Sequence, residues 1–152
     1  MRPGDVVPDF ELPDQMGTPR KLSEFLAAGP VVLFFYPAAM TYGCTKESCH
    51  FRDLAAEFAA AGAQRVGISA DPVDKQRQFD EKESLGFPLL SDPDRVVAAQ
   101  LGAKRSVGFL PNKRVTFVID TDRTLLEVIH TEVSMGAHAD RALATLSARR
   151  DG

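Results

Sequence analysis

Six consecutive residues, Val31-Val32-Leu33-Phe34-Phe35-Tyr36, constrain this chain more than any other feature. A run of β-branched and aromatic side chains with no polar break has no face to give to water. It reads as a strand buried on both sides, in the middle of a sheet with a layer above and a layer below. Pro37 ends it. The run is far shorter than the roughly 20 residues that span a bilayer, and no other apolar stretch approaches that length. The N-terminus, Met1-Arg2-Pro3-Gly4-Asp5, lacks the apolar centre of a secretory signal. The expectation is a cytoplasmic protein with no membrane partner.

The other segments arrange themselves around that strand. Phe10-Glu11-Leu12 alternates, residues 14–17 carry turn chemistry, and Arg20-Lys21-Leu22 returns, which predicts a small N-terminal β-hairpin. Ser23 is placed to cap a short helix through Ala28, broken by Gly29-Pro30. Phe51, Leu54, Ala55 and Phe58 recur at helical spacing within a predicted helix over 43–61, with Gly62 at its C-terminal cap. Residues 65–69 form the next strand. Asp71-Pro72 and Asp92-Pro93 both read as a capping residue followed by proline at the first helical position. They open helices through about Leu85 and Leu101, separated by a short extended piece at residues 88–90. An irregular loop over 103–112 precedes a hairpin of residues 114–119 and 124–129, and a last helix spans 137–149. Strands alternating with helices and then a terminal hairpin predict an α/β layer structure. A thioredoxin-like fold fits this order: a central mixed β-sheet flanked by helices, with the N-terminal β-hairpin. A length of 152 residues suits one domain spanning 1–152. A net charge of −3 gives no electrostatic reason to expect nucleic acid or an anionic membrane as a partner.

The chemistry sits with the two cysteines, Cys44 and Cys49. A close pair in a reducing compartment is more often catalytic, redox-sensing or metal-binding than a structural staple. Cys44 falls where a loop after a strand becomes a helix. The first turn of a helix offers unpaired N–H groups and the positive end of the macrodipole. Both favour the thiolate, which is the nucleophilic form. Thr41, three residues upstream, is either an N-cap or a hydroxyl that bonds the sulfur and its substrate. A structural zinc site would need four ligands, and Cys44, Cys49 and His50 supply three at most, with His130 and His138 distant in sequence. No metal and no organic cofactor is expected.

Cys49 raises a geometric problem. Positions five apart on an ideal helix differ by about 140° and about 7.5 Å of rise, which separates their Cα atoms by about 8.7 Å. A disulfide needs roughly 4.4–6.8 Å. The two are therefore separate thiols, or a redox pair whose bonding requires the helix to unwind.

The segment Pro37-x3-Thr41-x2-Cys44 resembles the active-site pattern of the peroxiredoxins. The continuation Thr45-Lys46-Glu47-Ser48-Cys49, with Phe51-Arg52-Asp53, is similar to the peroxiredoxin Q, or bacterioferritin comigratory protein, subfamily. Lys113-Arg114-Val115-Thr116-Phe117-Val118-Ile119-Asp120 resembles the family's strand that carries an arginine, and residues 8–14 resemble its N-terminal segment. The likeness spans essentially the whole chain. It implies a thiol peroxidase in which Cys44 attacks a hydroperoxide, Arg114 and the Cys44 N–H hold the peroxide oxygens, Thr41 bonds them, and Pro37 shields the sulfur. It implies that Cys49 resolves the sulfenic acid as an intramolecular disulfide and that thioredoxin or a similar dithiol recycles it. Glu47 is a candidate for orienting a neighbouring donor, and Arg52 for a supporting role. The family commonly has proline where this chain has Tyr42, which could wall or cover the pocket. The apolar loop Ser106-Val107-Gly108-Phe109-Leu110-Pro111 is a candidate pocket lining or contact surface. The short N-terminus and the lack of a long C-terminal extension favour a monomer over a weak dimer. Two rival readings share these residues: a stoichiometric redox sensor, and a peroxidase in which Cys49 is a spectator.

Overall fold

The computed structural model describes residues 1–104, 112–131 and 134–151. In chain order the elements are β1 (Glu11–Pro13), β2 (Pro19–Lys21), α1 (Leu22–Leu26), β3 (Val31–Phe35), α2 (Tyr42–Asp53), α3 (Ala55–Ala60), β4 (Gln64–Ser69), α4 (Val73–Glu83), β5 (Leu89–Ser91), α5 (Val96–Leu101), β6 (Val115–Ile119), β7 (Leu125–His130) and α6 (Met135–Asp151). β1 and β2 form the N-terminal hairpin. The five other strands form one mixed sheet in the order β5-β4-β3-β6-β7. β3 is central, parallel to β4 and antiparallel to β6. The mixed sheet, the flanking helices and the hairpin match the thioredoxin-like expectation. No helix among the described residues is long and apolar enough to cross a membrane.

Every residue of β3 is fully buried, as its composition demands. Because side chains alternate along a strand, it feeds two cores. Val31, Leu33 and Phe35 pack with Phe25 of α1 and with Val97, Ala98 and Leu101 of α5. Val32, Phe34 and Tyr36 pack on the other face with Phe51 of α2, Phe58 of α3, Phe79 of α4 and Ala139, Ala142 and Leu146 of α6. Phe34 and Phe51 stack with ring centroids 4.3 Å apart, which ties α2 to the central strand. Gly67 on β4 makes room for this layer: a Cβ there would lie 3.0 Å from the Phe34 ring and 2.9 Å from Leu89.

Several local expectations are corrected. The helix expected over 43–61 is two helices, broken at Leu54 (φ −97°, ψ 22°). Arg65, reaching across from β4, donates to the carbonyl of Phe51 at 2.9 Å and so satisfies the end of α2. Asp71 does not cap α4: Pro72 takes the N-cap position, and the Asp71 carboxylate bonds elsewhere. Pro93 does not start α5. Asp92 accepts from the N–H groups of Val96 and Ala98, capping a helix that begins three residues later than expected. Ser23 lies inside α1, its N–H and hydroxyl both donating to Asp9. The loop of Ser106 and its neighbours through Pro111 lies outside the described residues.

Candidate active site

The register of β3 against β6 builds the site. Phe35 stands opposite Val115, so the loop leaving β3 and the residue entering β6 meet at one end of the sheet. The loop carries Pro37 and Thr41 and leads into α2, whose first turn holds Cys44; Arg114 is the residue before β6.

Buried polar groups hold the loop. The Asp71 carboxylate accepts the Ala39 N–H at 2.7 Å and the Ser69 hydroxyl at 2.6 Å. The Tyr36 hydroxyl donates to Gln76 at 2.5 Å, and Gln76 donates in turn to Ser69 and to the carbonyl of Leu90. Burial pushes the Tyr36 phenol far above its ordinary range, so it stays a donor. Pro37 is buried, and Met40 takes a left-handed conformation (φ 63°) just ahead of the helix.

Thr41 is the N-cap residue of α2 by backbone, but its hydroxyl makes no capping hydrogen bond. It donates instead to the Ala38 carbonyl at 2.8 Å, back along the loop. Tyr42 occupies the first helical position, where proline fits well. It is 85% exposed, so it neither walls nor covers the site. The first helical hydrogen bond runs from the Thr45 N–H to the Thr41 carbonyl, so the N–H groups of Tyr42, Gly43 and Cys44 precede the ladder. Cys44 is thus in the first turn, with its side chain fully buried.

Arg114 converges on it. Its Nη2 donates to Cys44 Sγ at 3.3 Å and its Nη1 to Glu47 Oε1 at 2.9 Å. One rigid fork therefore spans the sulfur and a carboxylate one turn further along α2. Burial alone would pull the Arg114 pKa down; the negative charges of Cys44 and Glu47 outweigh it and hold it above its ordinary value. Gly43 lets the fork approach, since a Cβ there would lie 3.2 Å from Nη2.

Glu47 is fully buried and does orient a donor, the arginine itself. Its other oxygen lies 3.5 Å from Nε2 of His138 on α6, also fully buried. His138 Nε2 is 2.9 Å from the Thr131 carbonyl, so this nitrogen carries a hydrogen. Nδ1 lies within hydrogen-bond distance of the Thr116 hydroxyl, at 2.8 Å. Sequence reasoning missed His138: it weighed the residue only as a distant metal ligand. Nothing in the local pattern reveals that α6 packs its first turns against α2.

Cys49 lies on the same unbroken helix as Cys44, and both are free thiols. Its Sγ donates to Glu83 Oε2 at 3.4 Å. Burial, then the Glu83 hydrogen bond, push the Cys49 thiol up despite the nearby Arg52. Arg52 is turned away from Cys44 and donates to the Glu83 carbonyl at 2.6 Å and to Asp53 at 3.0 Å. A groove of about 520 Å³ runs beside Cys49, lined by Lys46, His50, Asp53 and Gly136.

A thiol in a first helical turn, bridged by arginine to a buried carboxylate on a thioredoxin-like sheet, defines a class of thiol-dependent redox enzymes. Comparison with known proteins narrows it. Residues 3–128 match the family described as AhpC/TSA. The chain is 38% identical to peroxiredoxin Bcp of Escherichia coli over 148 residues, 94% of each chain. The crystal structure of peroxidoxin BcpB from Mycobacterium tuberculosis superposes with a TM-score of 0.94 at 65% identity, covering 97% of both chains. A Xanthomonas campestris bacterioferritin comigratory protein, whose structures concern alkyl peroxide reduction, superposes with a TM-score of 0.83 at 30% identity, covering 92% of this chain and 91% of that one. The chain belongs to the AhpC/TSA family of peroxiredoxins, in its bacterioferritin comigratory protein and peroxiredoxin Q branch. It is a thiol peroxidase, which decides against a stoichiometric sensor.

Proposed function

We propose that Cys44 is the peroxide-attacking cysteine, with Arg114, Thr41 and Pro37 completing its site and Cys49 resolving the product. The observation that carries this reading is the Arg114 fork, 3.3 Å from the Cys44 sulfur and 2.9 Å from Glu47. The Cys44 thiolate attacks the terminal peroxide oxygen. A sulfur–oxygen bond forms, the oxygen–oxygen bond breaks, and the leaving oxygen departs as water or alcohol after taking a proton. Arg114 and the Cys44 N–H stabilise the negative charge that moves onto the peroxide oxygens. Thr41 meets the peroxide by exchanging its bond to the Ala38 carbonyl, and Pro37 keeps water from the sulfur. Alkyl hydroperoxides join hydrogen peroxide as substrates, a reading supported by the activity named for the Xanthomonas relative.

Cys49 then attacks the Cys44 sulfenic acid. The sulfur–sulfur bond forms, the sulfur–oxygen bond breaks, and water carries off the oxygen and the Cys49 proton. Both residues lie on one helix, so α2 unwinds for this step. A thioredoxin-like dithiol returns the two electrons. The protein acts as a monomeric single domain over residues 1–152, in the cytoplasm.

The test is peroxide turnover with a thioredoxin system in the wild type, Cys44→Ser and Cys49→Ser. Cys44→Ser abolishes turnover, whereas Cys49→Ser reacts once and recycles poorly. An active Cys44→Ser enzyme overturns the assignment, and full turnover by Cys49→Ser makes Cys49 a spectator.

A further inference from the structure

We propose that Glu83 is a positioning residue that parks Cys49 as a resting thiol on folded α2 and releases it as a nucleophile only when the helix opens. The proposal rests on Cys49 being the resolving cysteine.

Glu83 reaches Cys49 from a different element. It is the last residue of α4, and its Oε2 accepts from Cys49 Sγ at 3.4 Å. Neighbouring contacts hold it in place. The Arg52 guanidinium holds its carbonyl at 2.6 Å. Just beyond it, Ser84 turns left-handed (φ 51°) with its N–H on the Asp80 carbonyl, and the N–H groups of Leu85 and Gly86 bond the Asp80 side chain. The carboxylate therefore sits on a fixed helix end facing a sulfur on the helix that must move.

A carboxylate that accepts from a thiol stabilises S–H and repels S⁻. Among the described residues, the other titratable groups near Cys49 are Arg52 and Asp53, which adjoin it along α2, and Lys46 and His50, which line its groove. From α6, Asp140 is engaged with His50 at 2.9 Å. Arg52 pulls towards the thiolate, but burial, Glu83 and Asp53 outweigh it, and the folded thiol titrates above its ordinary value. In folded α2 this keeps Cys49 protonated, leaving Cys44 as the reactive sulfur.

Unwinding α2 reverses every element of this arrangement at once. Cys49 leaves the carboxylate, enters water and approaches the Cys44 sulfenic acid. Its proton passes to solvent, the sulfur–sulfur bond forms as the sulfur–oxygen bond breaks, and the departing hydroxide takes a proton back from solvent and leaves as water. Approach and activation of the resolving thiol are then a single event, and the contact with Glu83 is one of those that the opening must break.

The test uses full-length Cys44→Ser protein, in which Cys49 is the sole thiol. The pH dependence of its alkylation by iodoacetamide is measured with Glu83 intact and as Glu83→Gln. The glutamine keeps the shape and an acceptor oxygen but carries no charge. The midpoint moves to lower pH, and alkylation at pH 7 becomes several-fold faster. A purely structural Glu83 would alter the rate at all pH values without moving the midpoint, and an unmoved midpoint overturns the proposal. Should Glu83→Gln fail to fold, Glu83→Asp withdraws the carboxylate from the sulfur and shifts the midpoint in the same direction; an unmoved midpoint there overturns the proposal equally. In protein with both cysteines, Glu83→Gln forms its disulfide faster after one equivalent of peroxide, and slower formation contradicts the release. Full turnover by Cys49→Ser would instead remove the resolving role and leave the alkylation shift intact, so the two failures are distinguishable.

Discussion

Replacing Arg114 by lysine asks whether the enzyme needs a positive charge or a fork. The guanidinium serves two acceptors at once, Cys44 at 3.3 Å and Glu47 at 2.9 Å, from a side chain that is 9% exposed. Two unit charges 3.3 Å apart attract by about 5 kcal/mol at an effective dielectric of about 20, an upper bound on the contribution at the sulfur. Much of that is offset by lost hydration, and a hydrogen bond to a charged group nets about 1.5–3 kcal/mol. Lysine is a point charge on a flexible stem and cannot span both acceptors. Glu47, fully buried, has the stronger demand for the cation, so the ammonium goes to Glu47 and the sulfur loses its donor. Arg114→Lys should therefore slow the reaction of reduced enzyme with peroxide by roughly 10- to 150-fold, from the same hydrogen-bond range. Its melting temperature should change little. Arg114→Met takes the guanidinium from both partners and should also destabilise the fold, by about 3–5 kcal/mol. Stopped-flow measurement of the second-order peroxide rate, paired with thermal melts, separates the two effects. A lysine variant with wild-type peroxide kinetics would refute the fork as the reason for arginine here.

Three further perturbations probe the same architecture. Gly43→Ala puts a Cβ 3.2 Å from Arg114 Nη2 and 3.5 Å from Met135 Sδ, and should lower the peroxide rate without lowering the melting temperature, because alanine is the better helix former. Ser48 is fully buried on α2 and its hydroxyl has no hydrogen-bond partner among the described residues, so Ser48→Ala should stabilise α2. If α2 must unwind, a gain of about 1–2 kcal/mol slows disulfide formation by roughly 5- to 30-fold, and a mass-spectrometric time course in excess hydrogen peroxide should show a second oxidation to sulfinic acid accumulating on Cys44. The hydrogen bond from Arg149, chief among its causes, lowers the Asp120 pKa in the folded state. Its contribution to stability is therefore present above the unfolded value near 3.8 and is lost as pH falls through the lower folded value. Asp120→Asn should remove that part of the acid-unfolding slope and leave stability at neutral pH slightly reduced.

Where one segment decides its own structure, the sequence was readable. The unbroken run of β3 announced a central buried strand, and alternation with helical periodicity outlined the layers around it. The strand–loop–helix placement of Cys44 and the position of Arg114 were legible through the family motif. What escaped depended on distant partners. The break at Leu54 is satisfied by Arg65 from β4, a contact 14 residues away in sequence. Asp71 resembled a helix cap because local chemistry favours that use, yet tertiary geometry gives its carboxylate to the loop N–H of Ala39. Thr41 illustrates the same limit on a smaller scale, since the shape of the loop turns its hydroxyl to the Ala38 carbonyl rather than to the helix N–H groups it was placed to cap. Glu47 was visible as a candidate for orienting a donor, but its burial against Arg114 and His138 follows from how α6 docks on α2. Glu83 gave no signal, since its meaning lies in facing Cys49 across 34 residues of chain.

The most direct measurement is the intact mass of each protein after one equivalent of hydrogen peroxide. If Cys44 attacks and Cys49 resolves, the wild type loses the mass of two hydrogens and Cys49→Ser gains one oxygen on Cys44. Cys44→Ser, its remaining thiol held by Glu83, stays unmodified on that timescale. Prompt oxidation of Cys49 in Cys44→Ser, with Cys44 untouched in Cys49→Ser, would contradict the account.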